Sequence, residues 1–156
     1  MRNRLQKLFD TKQKNILNLY FTAGYPQLNS TTELLKNLAL AGADIVEIGM
    51  PYSDPLADGP TIQQSSSIAL KNSMSIPVLM KQLETVRNHN VLPIVLMGYL
   101  NPVLQFGLDL FLEHCARLQI DGLILPDMPL DVYQRDYALL YQKHQINPIF
   151  LITPDT

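Results

Sequence analysis

Residues Gly42 to Gln63 read GADIVEIGMPYSDPLADGPTIQ. The stretch opens as a short apolar run, Ile45-Val46-Glu47-Ile48. It then breaks into a turn-rich segment holding Gly49, Pro51, Pro55, Gly59 and Pro60. A short apolar run bounded by turn residues reads as a buried strand. Side chains alternate along a strand, so Ile45, Glu47 and Gly49 share one face and Val46 and Ile48 the other. If the Val46/Ile48 face packs on helices, Glu47 points to the opposite side. Eleven residues further on lies a second carboxylate, Asp58, with Asp54 between them. A strand-borne acid and a loop-borne acid have the make-up of an acid/base pair. Read one residue at a time, each also has a plainer role. Glu47 could pair with an interior lysine, and Asp58, just before Gly59-Pro60, could cap a helix or hold a turn.

Outward from this stretch, short apolar runs alternate with helical patterns. Residues 2–11 predict a short helix with Leu5, Leu8 and Phe9 on one face. A strand follows over Ile16 to Phe21 and ends in the turn Thr22-Ala23-Gly24-Tyr25-Pro26. Ser30-Thr31-Thr32-Glu33 has the form of a capping box. It opens a helix through Leu34, Leu35, Leu38 and Ala41, which Gly42 is placed to end in a left-handed cap. After the strand Asp44 to Ile48, helices are predicted from Pro60 to Lys71 and from Ile76 to His89. Further strands are predicted at Pro93–Met97, Asp121–Leu125 and Asn147–Ile152, with helices over Leu108–Leu118 and Leu130–His144 between them.

Five strands alternating with helices predict right-handed crossovers and a parallel sheet. Length alone favours a doubly wound sheet of flavodoxin type. The other candidate is the first part of a (β/α)8 barrel, which takes about 30 residues per strand–helix unit. In both, the functional loops follow the C-terminal ends of strands, and the segments 22–26, 49–60, 98–102 and 126–129 all do.

The 156 residues suit a single domain; 47% are hydrophobic and the net charge is -2. That charge carries no footprint for nucleic acid or an anionic membrane, and no apolar run approaches the roughly 20 residues of a membrane span. The N-terminal residues lack the apolar core of a signal peptide. The one cysteine, Cys115, fits a reducing, cytoplasmic setting and reads as a packed core thiol. His89, His114 and His144 have no second ligand type at metal spacing, so no metal is expected. Asp127, between two prolines, reads as a loop-stabilising acceptor.

The segment VEIGMPYSDPLADGPTIQ closely resembles the signature of the tryptophan synthase alpha chain family. Three further segments resemble that family in the right order: Tyr20 to Pro26, Met97 to Pro102 and Leu123 to Pro129. The resemblance implies a TIM (β/α)8 barrel, here a partial barrel of about five β/α units forming one domain over 1–156. It implies a lyase that cleaves indole-3-glycerol phosphate to indole and glyceraldehyde 3-phosphate in tryptophan biosynthesis. It implies a beta-chain partner in an alpha2beta2 tetramer, with pyridoxal phosphate on that partner and no cofactor on this chain.

Residue by residue, Glu47 matches the family's catalytic glutamate, which shuttles a proton to indole C3. Asp58 matches the catalytic aspartate at the indole N–H. Tyr20, Met97, Tyr99 and Ile124 match positions lining the indole pocket, and Asp54, Pro55 and Asn101 match positions near the beta-chain contact. The family's lid loop and phosphate-binding loops follow later strands than those matched here. The 156 residues alone are therefore expected to be inactive and poorly folded. A remnant that only binds the beta chain is the alternative.

Overall fold

The computed structural model describes residues 3–87 and 91–154. In chain order the elements are α1 (Arg4–Thr11), β1 (Asn18–Thr22), α2 (Ser30–Leu40), β2 (Ile45–Gly49), α3 (Pro60–Lys71) and α4 (Ile76–Arg87). They continue as β3 (Ile94–Met97), α5 (Leu100–Phe106), α6 (Leu108–Arg117) and β4 (Gly122–Ile124). Then α7 (Leu130–Val132) runs through a π-helical turn (Tyr133–Tyr137) into α8 (Ala138–His144), ahead of β5 (Pro148–Ile149).

The strands form one parallel sheet in the order β1-β2-β3-β4-β5. Each new strand joins beside the last, without the reversal that a flavodoxin-type sheet requires. The two faces are also covered differently. Val46, Ile48, Ile94, Leu96 and Leu123 look outward into the main core, against Leu35 of α2, Leu79 and Leu83 of α4, Phe111 and Leu112 of α6 and Tyr141 of α8. The inner face carries only a small cluster of Ile45, Val95 and Ile124, which Leu5 and Leu8 of α1 close from below. Helices outside and interdigitated side-chain rows inside define the winding of a (β/α)8 barrel, of which the chain builds about five units. The doubly wound alternative is excluded by strand order. Among the described residues, β1 and β5 each pair with a single neighbour.

Several local expectations change. The capping box at Ser30 does not form. Asn29 is the N-cap and Ser30 already lies inside α2, its Oγ accepting from the Gln27 N–H at 3.2 Å. The helix start is fixed instead by buried Thr31, whose Oγ1 accepts from the Gly24 N–H at 2.9 Å and ties α2 to the turn after β1. A reciprocal box does form at α1, between Asn3 and Gln6. Gly42 takes the expected left-handed conformation, φ +86°, one residue past the Ala41 C-cap. The 130–144 helix is interrupted by its π turn, and β5 is two residues long where six were expected. The end of the helix expected to reach His89 lies outside the described residues.

At the N-terminal pole of the sheet, Asp121 and Arg87 form a buried hub. Their side chains are 1% and 5% exposed, and Arg87 Nη2 donates to Asp121 Oδ2 at 3.0 Å. The same Oδ2 accepts from the Ile94 N–H at 3.0 Å, while Oδ1 accepts from the Arg4 N–H at 2.9 Å. The guanidinium also donates to the carbonyls of Leu118, Leu92 and Gln119. Burial pushes Arg87 down to about 10, which leaves it charged at neutral pH. Removing one partner of such a pair strands a buried charge. We expect Asp121→Ala to cost about 3–5 kcal/mol in chemical denaturation and Asp121→Asn, which keeps the shape, clearly less. An unchanged midpoint for Asp121→Ala would refute the structural weight given to the hub.

Candidate active site

The parallel register places the predicted site residues in two inward rows. One row holds Tyr20, Glu47, Val95 and Gly122. The next row, toward the C-terminal ends, holds Thr22, Gly49, Met97, Ile124 and Ile149. Gly49 makes the upper row passable. A Cβ there would lie 2.1 Å from the Tyr20 hydroxyl, so only glycine lets the Tyr20 ring cross over β2. Ile124 sits beside Met97 and packs down onto the inner apolar cluster.

Glu47 faces the barrel interior, half-buried, and its Oε2 accepts from Asn18 Nδ2 at 3.1 Å. Among the described residues it has no lysine or arginine partner, so the interior ion pair is not what holds it. Asp58 is likewise free of an ion pair and does not cap α3. The cap residue is Gly59, with Pro60 in the first turn. The Asp58 carboxylate is held instead by the Tyr99 hydroxyl, which donates to Oδ2 at 3.2 Å. That hydroxyl also accepts from the Ala57 N–H at 3.0 Å, so one side chain at the end of β3 fixes both the loop backbone and its acid.

Tyr20, Asp58, Met97 and Tyr99 line one narrow cleft, together with Met50 and buried Ser66. Electrostatics links Glu47 to the same place. Burial pushes the Tyr20 phenol up; its Thr22 hydrogen bond opposes the rise, and the charges of Asp58 and Glu47 add to it. Both carboxylates are thus within electrostatic reach of one hydroxyl. Burial also raises Tyr99, against the Ala57 hydrogen bond. Below the cleft, buried Thr22 Oγ1 and Ser65 Oγ lie 2.7 Å apart and join β1 to α3.

The three residues expected near a partner lie on the outer side of the same loop system. Pro55 borders a surface groove of about 550 Å³ with Tyr52 and Lys71. Asp54 accepts from the Ser53 hydroxyl. Asn101 Nδ2 donates to the Tyr52 hydroxyl at 3.1 Å, and the Tyr52 ring lies 5.3 Å from that of Tyr99. Asp127 is the loop acceptor expected, receiving the Leu100 N–H at 2.9 Å on Oδ1. Cys115 is fully buried and its thiol is pushed up by burial, as a packed core thiol should be. No group of metal-ligating side chains occurs among the described residues, and no helix among them is long and apolar enough to cross a membrane.

Asn18, Ser66 and Met50 were not singled out from sequence. Strand alternation could have found Asn18, which shares the inner face of β1 with Tyr20. Ser66 and Met50 carry no motif or spacing that points to the cleft.

A parallel sheet wound in sequence order, with helices outside and two carboxylates without a cation partner among the described residues on its inner face and following loop, is the frame of a (β/α)8 barrel. The sequence profile described as "Tryptophan synthase alpha chain" matches residues 6–156. Proteins of that name from Flavobacterium psychrophilum and Flavobacterium johnsoniae are 48% and 49% identical over 155 residues, 99% of this chain and 60% of theirs. The crystal structure of tryptophan synthase subunit alpha from Legionella pneumophila superposes with a TM-score of 0.94 at 36% identity, covering all of this chain and 61% of that one. A chain of the tryptophan synthase complex from Pyrococcus furiosus gives 0.83 at 35% identity, over 90% of this chain and 57% of that one. The chain belongs to the tryptophan synthase alpha chain family. It spans about 60% of the length of the curated relatives it matches.

Tyr99→Phe removes both hydrogen bonds that fix Ala57 and Asp58. With about 0.5–1.5 kcal/mol for a typical bond, amide exchange at Ala57 should speed up roughly 3- to 10-fold while the β2 and β3 amides keep their protection. Unaltered exchange at Ala57 would show that the loop is held by something else.

Proposed function

We propose that these residues form the catalytic half of an indole-3-glycerol phosphate lyase, with Glu47 as the proton donor and Asp58 as the charge-stabilising carboxylate. The observation that carries this reading is that both acids act on the Tyr20 hydroxyl, Asp58 from the cleft it lines with Tyr20 and Glu47 from the paired position on β2, with no cation partner for either among the described residues.

Breaking the C3–C3′ bond requires a proton on indole C3, which leaves an indoleninium cation. A carboxyl aimed at C3 supplies that proton. A carboxylate beside N1 stabilises the positive charge that develops there. Cleavage then returns the C3–C3′ electron pair to the ring, while the C3′ hydroxyl gives up its proton and becomes the aldehyde. The Glu47 carboxylate left by the first transfer can take that proton, so one group closes the cycle and no net proton is consumed. Tyr20, Met97, Tyr99 and Ile124 supply the flat apolar and aromatic walls that suit an indole ring. The outer loop residues Asp54, Pro55 and Asn101 serve as contact to a beta chain in an alpha2beta2 assembly. Pyridoxal phosphate belongs to that partner, and no residue here is assigned to it. For a biosynthetic lyase of this kind the setting is the cytoplasm.

The test uses the complete polypeptide that carries these residues. Glu47→Gln keeps the shape and removes the transferable proton, and turnover should fall by about 10²-fold or more. Asp58→Asn should lower turnover more than it weakens substrate binding, the pattern of a group that acts in the transition state. Near-normal indole release by Glu47→Gln, or an effect of Asp58→Asn confined to KM, would overturn the assignment of that residue.

A further inference from the structure

We infer that Asn18 is a positioning residue for Glu47, holding one carboxyl oxygen so that the other is the one that delivers the proton. The inference rests on the reading of Glu47 as proton donor.

Asn18 is an exposed polar residue beside an otherwise apolar level of the inner face. It begins β1 on the inner face, in register with Ile45, at the level where Ile45 and Val95 join Leu5 and Leu8 in an apolar floor. Exposed on that face, its amide is nonetheless directed at an acid. Its Nδ2 donates to Glu47 Oε2 at 3.1 Å, one row up and one strand across, and this is the hydrogen bond that Glu47 makes among the described residues.

Two consequences follow. An oxygen that accepts an amide N–H is a poor place for the carboxyl proton, because two hydrogens would then meet. The proton is therefore directed to Oε1, the oxygen that lacks this donor. A neutral donor also stabilises the ionised form modestly. A lysine there would fix Glu47 as an anion, while an aliphatic side chain would leave the carboxyl free to rotate. The amide orients the acid without adding a charge beside it. The titratable neighbour of Glu47 is Tyr20 on β1, and Asp58 and Tyr99 act on that same phenol. Neither phenol is hydrogen-bonded to Glu47, whose donor among the described residues is Asn18.

The experiment follows the Glu47 carboxyl directly, by carbon NMR titration in the complete polypeptide with labelled glutamate, Glu47→Gln providing the assignment. Asn18→Ala should move the Glu47 midpoint to higher pH by about 0.5–1 pH unit. Asn18→Asp should move it further, because a like charge disfavours ionisation. Asn18 is exposed to the barrel interior, so neither variant leaves a packing void. In indole-3-glycerol phosphate cleavage, Asn18→Ala should lower kcat about 3- to 10-fold with KM little changed. Added to Glu47→Gln it should have no further effect, since it acts through Glu47. An unmoved midpoint, or losses that multiply in the double variant, would overturn the role of Asn18 while leaving Glu47 intact. Full activity of Glu47→Gln would instead remove the reading on which the inference rests.

Discussion

The buried carboxylate of Asp121 is the constraint on which the rest depends. It sits at the entry to β4 and accepts hydrogen bonds from α1, α4 and β3. Those three elements are far apart in sequence, and no local propensity would bring them together. Because the carboxylate and its guanidinium are both out of water, leaving either unpaired is costly. The pole of the sheet therefore has one acceptable arrangement. Fixing the start of β4 against β3 and α1 fixes the register above it, and a one-residue slip would turn every inward side chain outward.

That register turns a linear sequence into a site. Tyr20 and Glu47 are 27 positions apart and stand side by side because β1 and β2 pair at that point. Met97 and Ile124 stand side by side one row higher for the same reason. The loop after β2 brings Asp58 back over this surface, and the end of β3 offers Tyr99 to hold it. Gly49 belongs to the same logic, since its missing side chain is the space through which Tyr20 reaches the cleft. Scaffold and chemistry are thus divided between the two ends of the strands, as the barrel winding requires.

How much of this was legible in the sequence follows from how local each signal is. The alternation in β2 correctly put Val46 and Ile48 toward the helices and Glu47 inward, because that pattern is written within five residues. The left-handed Gly42 was legible for the same reason. Most of what failed involved partners distant in sequence. Helix α5 was missed because Pro102 reads as a loop residue and the acceptor for the Leu100 N–H is Asp127, 27 residues on. The capping box at Ser30 failed because the helix cap falls one residue earlier, at Asn29, and the Ser30 hydroxyl is taken by the Gln27 N–H. Strand order, which separates a barrel from a doubly wound sheet, depends on which strands pair, and periodicity is silent on that. The segments resembling a known family supplied what local pattern could not.

The protein handles its carboxylates in two different ways. Asp121 is matched with Arg87, Asp44 with Lys12, Asp109 with Lys143 and Glu84 with Arg117. All four pairs join elements distant in sequence, and the Asp44 carboxylate, held first by the Leu17 N–H and then by Lys12, lies below its ordinary range. A cation partner suits a structural acid because it keeps the acid ionised. Glu47 and Asp58 have neutral partners instead, an amide and a phenol. A neutral donor fixes direction at a small electrostatic cost and leaves the proton free to come and go. The phenol at Asp58 stays protonated and donating, since burial raises it. An acid that must give up and recover a proton in every turnover cannot sit in a salt bridge, because the bridge would resist each protonation by the full strength of the pair. Among the described residues, the lack of a cation beside Glu47 and Asp58 is what the proposed acid/base role calls for.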